Sequence, residues 1–206
     1  MKRALFSIWA ALAVVSMQAR ADFLFSQGPP NGNGHTITDA RLADDFSLPA
    51  ASSLNEIEFW YNAQFIDDLS DVTYAIYDNS AGSLGLMEAS ETISTLSLSS
   101  DSGFFLADFQ ITPLNLAPGT YWLELHAGTS LTDDNGGLNI DWIATDDNAT
   151  AIALSNPVGL PDTPVNVSGF DQYSFQLIGT AVPEPKLALG VSVLVVLMLI
   201  YAGRRN

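Results

Sequence analysis

Short runs in which every second residue is apolar constrain the fold of this chain more than any other feature. In one run, Ile57, Phe59 and Tyr61 fall on one face of an extended strand. Glu56 and Glu58 fall on the opposite face. A period of two is typical of a strand that buries one face and exposes the other to solvent. The same alternation predicts further strands, strongly in 71–78, 104–111, 120–126, 138–143 and 173–178, and more weakly in 36–38, 45–48, 92–98 and 149–154.

Turn-forming residues separate these runs and complete the prediction of the fold class. Glycine, proline and asparagine crowd residues 28–34 and predict a loop there. The next strong run should place Val72, Tyr74 and Ile76 inward. A helix over 84–94 is an alternative that its serine and threonine content makes weak. Short strands at this spacing predict an all-β body, either an antiparallel β-sandwich or a jelly roll.

The front of the chain has the three parts of a secretory signal. Lys2 and Arg3 are followed by an apolar run that ends at Met17, and Ala19 and Ala21 then supply the small residues that a signal peptidase reads. A helix of the folded body is the alternative, but such a helix rarely starts at the initiator methionine with two charges. We therefore expect a signal helix that is cleaved after Ala21.

The end of the chain carries an uncharged apolar segment, residues 187–202. Lys186 precedes this segment, and Arg204 and Arg205 follow it. At about 1.5 Å per residue, a helix of this length spans roughly 24 Å, slightly less than the ~30 Å hydrocarbon core. Because the segment is apolar on every face, it predicts a single transmembrane helix. The paired arginines should lie on the cytoplasmic side.

The tail as a whole combines a short proline motif, the apolar segment and a basic end. The motif and the basic end are formed by Val182, Pro183, Glu184, Pro185, Arg204 and Arg205. This order resembles the PEP-CTERM sorting signal of Gram-negative bacteria. The resemblance implies an exported protein held in the inner membrane with its body in the periplasm. It also implies processing near the Pro-Glu-Pro motif by exosortase, a membrane transpeptidase-like enzyme, and a final location at the cell surface or in the extracellular matrix.

The body is more loosely similar to the β-sandwich ectodomains that often precede such tails. The segments that carry this likeness are 43–46, 116–123 and 175–179. The likeness implies a fold more than a function. The predicted organisation is a signal peptide (1–21), a β-sandwich ectodomain (22–181) and a sorting tail (182–206).

The charge of the body limits its partners. Residues 22–185 contain all 23 acidic residues of the chain but only one of its seven basic residues, Arg41, which gives a net charge of −22. Such a charge repels nucleic acid and anionic lipid headgroups. Cations and neutral polymers such as exopolysaccharide remain as partners of the body. The signal sequence implies signal peptidase as a further partner, the apolar segment implies the membrane, and the resemblance of the tail implies exosortase. No cysteine is present, so no disulfide can brace the body.

The residues that could carry catalysis are few, and we expect no enzyme. The separation of Glu56 and Glu58 on one face of a strand is compatible with that of the two catalytic carboxylates of a glycosidase. A solvent-exposed strand face produces the same pattern without any catalytic role. His35 lies in the predicted loop, and His126 is expected to be a partly exposed histidine at a strand end. Neither histidine belongs to a recognised zinc or nucleophile motif.

Two binding functions stay open for the body. Asp133, Asp134 and Asn135 offer the oxygen ligands that a structural Ca²⁺ would need, although an acidic surface that keeps a secreted protein soluble explains them equally. Trp60 and Trp122 could form a platform for exopolysaccharide if their rings are exposed. If these rings are buried, they belong to the packing of the sandwich instead. No other cofactor is expected.

Overall fold

The computed structural model describes residues 22–38, 40–132, 138–145, 154–157, 165–166 and 172–182. The predicted signal helix, the predicted transmembrane helix and the sorting residues from Pro183 onward lie outside the described residues. The predicted calcium ligands Asp133, Asp134 and Asn135 lie outside them as well. Among the described residues, the structure contains no helix with the length and hydropathy needed to cross a membrane.

The regular secondary structure of the described part of the chain is almost entirely strand. In chain order these are β1 (Asp22–Ser26), β2 (Pro30–Thr36), β3 (Ala40–Leu48), β4 (Ser52–Asn62), β5 (Val72–Asn79), β6 (Leu84–Ile93), β7 (Ser97–Asp101), β8 (Phe104–Leu116), β9 (Gly119–Ala127), β10 (Asp141–Thr145), β11 (Leu154–Pro157), β12 (Val165–Asn166) and β13 (Phe175–Ala181). One turn of 3-10 helix, Ile66–Asp68, follows β4.

The strands form two antiparallel sheets. In the seven-stranded sheet, β4 pairs on one side with β8, which in turn pairs with β7. On its other side β4 pairs with β13 and then, near its end, with β10; β1 and β2 complete this sheet. The six-stranded sheet has the order β12, β11, β3, β9, β5, β6. The predicted all-β sandwich is therefore confirmed.

The core lies between the two sheets and follows the alternation in the sequence. Ile57, Phe59 and Tyr61 of β4 are buried there, as predicted. Val72, Tyr74 and Ile76 of β5 are also buried, although their neighbours Thr73, Ala75 and Tyr77 on the other face are buried too. The six-stranded sheet is thus covered on both faces along its centre, which its alternation does not reveal. Other large core residues include Leu42, Phe46, Leu54, Phe109, Leu123, Leu125, Trp142, Tyr173, Phe175 and Leu177.

The structure corrects one local prediction and decides one alternative. The segment 28–34 was expected to be a loop, but most of it belongs to β2, which pairs with β10. Gly34 allows this close pairing, because a Cβ at this position would lie 2.9 Å from Ile143 and 3.0 Å from the Trp142 carbonyl oxygen. The helical alternative over 84–94 is excluded, since this segment forms β6 and pairs with β5.

Candidate functional site

Three carboxylates meet on the outer face of the seven-stranded sheet. Glu56 and Glu58 lie two residues apart on β4, so both side chains point away from the core. Asp108 of β8 is directly opposite Glu58, and Gln110 is directly opposite Glu56. Each of the three acidic residues has a carboxylate oxygen within 4.8 Å of the others. We call this group the carboxylate cluster.

The electrostatics of the carboxylate cluster are unfavourable when all three groups are ionised. Partial burial, and then the nearby charge of Glu56, raise the pKa of Asp108. Partial burial, and then the charges of Asp108 and Glu56, raise the pKa of Glu58. The side-chain amide of Gln110 donates to Glu56 Oε2 and offsets part of this repulsion.

The donor set of this cluster consists of hard oxygen atoms, which could hold a divalent cation such as Ca²⁺. The geometry does not favour glycoside hydrolysis, because Glu56 and Glu58 project from one strand of an outer sheet face instead of facing each other across a cleft. Sequence reasoning found this pair but missed Asp108. The alternation around Phe109 placed Asp108 outward, but only the register of β4 with β8 brings the three carboxylates together.

Trp60 continues the same outer face, but its ring is largely covered. It is 7% exposed, and its indole Nε1 donates to Asp101 Oδ2 at 2.9 Å. Trp60 borders a surface cavity of about 330 Å³, whose lining also includes Phe104, Pro30 and Gln176. The cavity combines apolar walls with amide and carboxylate groups that can form hydrogen bonds.

Trp122 lies on the outer face of the six-stranded sheet and is not available to a ligand in this structure. It is 3% exposed, it packs with Ala43, Ala75 and Tyr77, and its Nε1 donates to Asn79 Oδ1 at 3.2 Å. An exposed stacking platform that includes Trp122 is therefore excluded by its burial. The physical reason is that Leu84 and Leu131 pack against this cluster on the outer face of β9.

A buried ion pair occupies the same covered face. Arg41 Nε lies 3.3 Å from Glu124 Oε1, and the Tyr77 hydroxyl donates to Glu124 Oε2 at 2.6 Å. The only basic residue of the body thus acts within the fold and not at the surface. His126, on the same face of β9, was expected to be partly exposed, which is wrong: it is fully buried, and its Nδ1 lies 3.2 Å from the Ala40 carbonyl oxygen.

A second buried acid, Asp44, points into the sandwich from β3. Its Oδ2 accepts the backbone N–H of Tyr173 at 2.6 Å, and its Oδ1 accepts the N–H of Asp45 at 2.9 Å. Gln27 donates to Oδ2 at 3.4 Å. Burial raises the pKa of Asp44 to about 8, while the Tyr173 N–H acts in the opposite direction. Asp44 is therefore a structural acid of the interior.

His35 of β2 is half-buried and lies edge-on to Tyr173, with 6.3 Å between ring centroids. Burial lowers the pKa of His35, and the nearby charge of Asp141 raises it by less. Since the carboxylate cluster lies on other strands, the structure does not assemble His35 and His126 with those acids into one site.

Comparisons with known proteins do not assign a family. No protein-family model matches this chain, and no curated protein matches it significantly. The functional interpretation therefore rests on the chain's own residues.

Proposed function

We propose that this chain is an exported envelope protein whose β-sandwich body is carried to its destination, and held or released there, by a PEP-CTERM-type tail. The observation that carries this proposal is the order of the Pro-Glu-Pro motif, the apolar segment and the paired arginines in 182–206. In this proposal the body is not an enzyme, and the tail engages exosortase in the inner membrane.

The point at which the sandwich ends supports this division of the chain. The last described strand, β13, pairs with β4 as far as Ala181. The Val182 N–H then donates to the Ala51 carbonyl at 2.7 Å. Pro183 follows immediately and has no N–H to extend such pairing. The pairing of the last described strand with β4 thus reaches Val182, the first residue of the proposed recognition motif.

A reporter fusion tests the sorting function. Residues 180–206 are fused to a periplasmic reporter and expressed with and without exosortase. We expect the reporter to be retained in the membrane without exosortase and to be released where exosortase is present. Replacing Pro183, Glu184 and Pro185 together by alanine should abolish release without abolishing retention, whereas Thr180→Ala, outside the motif, should change neither. Equal release of the reporter in the strains with and without exosortase would contradict the proposal.

A second candidate function is binding of a neutral saccharide, such as a segment of exopolysaccharide, in the cavity beside Trp60. The specific observation that favours it is the combination of Phe104 and Pro30 walls with the polar side chains of Asp101 and Gln176. Sugar rings use the same pairing of apolar faces and hydrogen-bonding edges.

Binding of the full-length chain, held in non-ionic detergent, to an array of neutral oligosaccharides tests this candidate. Phe104→Ala and Asp101→Asn should weaken any signal at least tenfold. The exposed aromatic Phe65 borders a different surface cavity, so Phe65→Ala serves as the matched control. Absence of binding by the unmodified chain would contradict this second function but would leave the sorting proposal untouched.

A further inference from the structure

Among the described strands, β6 lies at one free edge of the six-stranded sheet, and β12 lies at the other. Strand β6 is ten residues long and pairs with β5, and no other described strand pairs with it. Two of its large apolar side chains are exposed, Leu86 at 76% and Met87 at 51%. The register of β6 with β5 shifts on both sides of Met87, so the strand is irregular where these two side chains are exposed. A long edge strand with exposed apolar residues is a ready template for pairing with another chain.

The hydrogen bonds of β5 show which backbone groups of β6 face outward for such pairing. The Gly128 N–H donates to the Asp71 carbonyl, so the backbone of Asp71 faces β9. By alternation the backbone of Tyr74 faces β6, and the Ser90 hydroxyl indeed donates to the Tyr74 carbonyl at 2.9 Å. Glu91 is the partner of Tyr74, so its backbone faces β5, and that of Ser90 faces away from the sheet.

Two residue types that usually protect an edge strand are missing from β6. Natural edges often carry lysine or proline, which oppose pairing with another chain. The sequence of β6 contains neither lysine nor proline. Its charged residues are both acidic: Glu88 is exposed and Glu91 is partly buried. These acids discourage pairing with a second acidic strand, but they favour a basic one.

The charge of the whole body identifies the occupant. Arg41 is the only basic residue in 22–182, and its side chain is 10% exposed within its ion pair with Glu124. The body therefore presents acidic and neutral groups to a partner, and a second copy would meet it with the same negative charge. We propose that the free edge of β6 binds an extended segment of another polypeptide that carries lysine or arginine, by strand addition to the six-stranded sheet.

In this complex the partner's backbone pairs with the outward groups of β6, including those of Ser90. Its basic side chains lie near Glu88, and its apolar side chains contact Leu86 and Met87. Main-chain hydrogen bonds supply affinity without requiring a particular sequence in the partner segment. The negative charges of β6 disfavour acidic segments. The proposed surface lies on the sheet opposite the one that holds Trp60, and it does not depend on the function of the tail.

The probe for this surface is a synthetic eight-residue peptide of alternating lysine and valine, titrated into the full-length chain in non-ionic detergent. One control peptide has the same charge but carries N-methyl groups on every second residue, which removes the hydrogen bonds of one edge. Another replaces lysine by glutamate. We expect the first peptide to bind at least tenfold more tightly than either control.

Variants of the chain locate the binding. Leu86→Lys should weaken binding of the lysine–valine peptide at least tenfold. Phe65→Lys, at an exposed site directly before the 3-10 turn Ile66–Asp68, should change binding no more than twofold. Ser90→Pro removes an outward N–H, and Ser90→Ala retains it, so only the proline variant should weaken binding. Because Ser90→Pro could disturb folding, the comparison of Leu86→Lys with Phe65→Lys provides a second test of whether the peptide binds at β6.

Three results would overturn the proposal. The first is equal binding of the N-methylated peptide, which would reduce the interaction to charge attraction. The second is equal weakening by Leu86→Lys and Phe65→Lys. The third is concentration-dependent dimerisation of the chain that Leu86→Lys abolishes, since a second copy would then be the occupant of the edge.

Discussion

Arg41 and Glu124 form an ion pair of 3.3 Å on the covered face of the six-stranded sheet. Glu124 is flanked in register by Ala43 on β3 and Ala75 on β5. These small neighbours leave room for the side chains of Arg41 and Tyr77 to reach the carboxylate from either side of the row. The pair is almost fully removed from water, so its energetics depend on both partners being present.

We expect Arg41→Met to destabilise the chain by about 3–5 kcal/mol, because it leaves the Glu124 carboxylate buried without its cation. Adding Glu124→Gln should restore much of the lost stability, since the neutral amide oxygen can still accept the Tyr77 hydroxyl. Urea unfolding of the full-length chain in non-ionic detergent, followed by circular dichroism, measures both changes. A single variant as stable as the unmodified chain would show that the pair contributes little.

The pH dependence of stability should report the titration of Asp44. Its pKa in the folded state is about 8, above the ordinary value of 3.8, so the folded chain holds this proton more tightly than the unfolded chain does. The associated stability is present at low pH and is lost as pH rises from about 4 to about 8. The slope from one such group is about 1.4 kcal/mol per pH unit.

Asp44→Asn removes this titration and provides the comparison. The Tyr173 N–H and the Asp45 N–H donate to different oxygens of the Asp44 carboxyl group, and an asparagine side chain has only one oxygen. One of the two buried donors would therefore face an amide nitrogen, and the variant should lose about 1–3 kcal/mol at pH 5. Its stability should also fall less steeply between pH 5 and pH 8. Parallel curves for the two proteins would assign the pH dependence to other groups.

The alternation in the sequence predicted the main strands, but it did not show that the outer faces of β5 and β9 are buried, and it could not give the pairing between distant strands. Strand β4 was found because Phe59 is buried and Glu58 is not. The burial of His126 was missed, because a polar residue on an alternating strand normally faces water. The carboxylate cluster could not be completed from the sequence, because Asp108 lies opposite Glu58 only through the register of β4 and β8.

Neutralising one member of the carboxylate cluster should stabilise the chain. The pKa of Glu58 is raised by burial and by the charges of Asp108 and Glu56, so its ionised form is unfavourable above the ordinary pKa of 4.5. We expect Glu58→Gln to raise the free energy of unfolding at pH 7 by about 0.5 kcal/mol, the usual scale for a partly exposed charge interaction.

Asp67→Asn is the matched control, because it removes one negative charge from the exposed 3-10 turn Ile66–Asp68. Melting temperatures of both variants at pH 7 and at pH 4 make the comparison. The gain from Glu58→Gln should shrink at pH 4, where the native carboxyl is protonated. An equal gain from Asp67→Asn would attribute the effect to net charge instead of to the cluster.

The close packing of β13 against β4 sets a limit on substitution just before the tail. A Cβ placed on Gly179 would overlap the Ser53 carbonyl oxygen and would lie 2.7 Å from Leu24 Cδ1. The first of these atoms belongs to the backbone of β4 and cannot move away without breaking the pairing of the two strands. We therefore expect Gly179→Ala to destabilise the chain by about 1–3 kcal/mol.

Gly119→Ala is the matched control, because its nearest contact would be the Tyr121 ring at an ordinary 3.5 Å. Urea unfolding of the two variants distinguishes them, and equal stabilities would mean that the end of β13 yields to accommodate a methyl group.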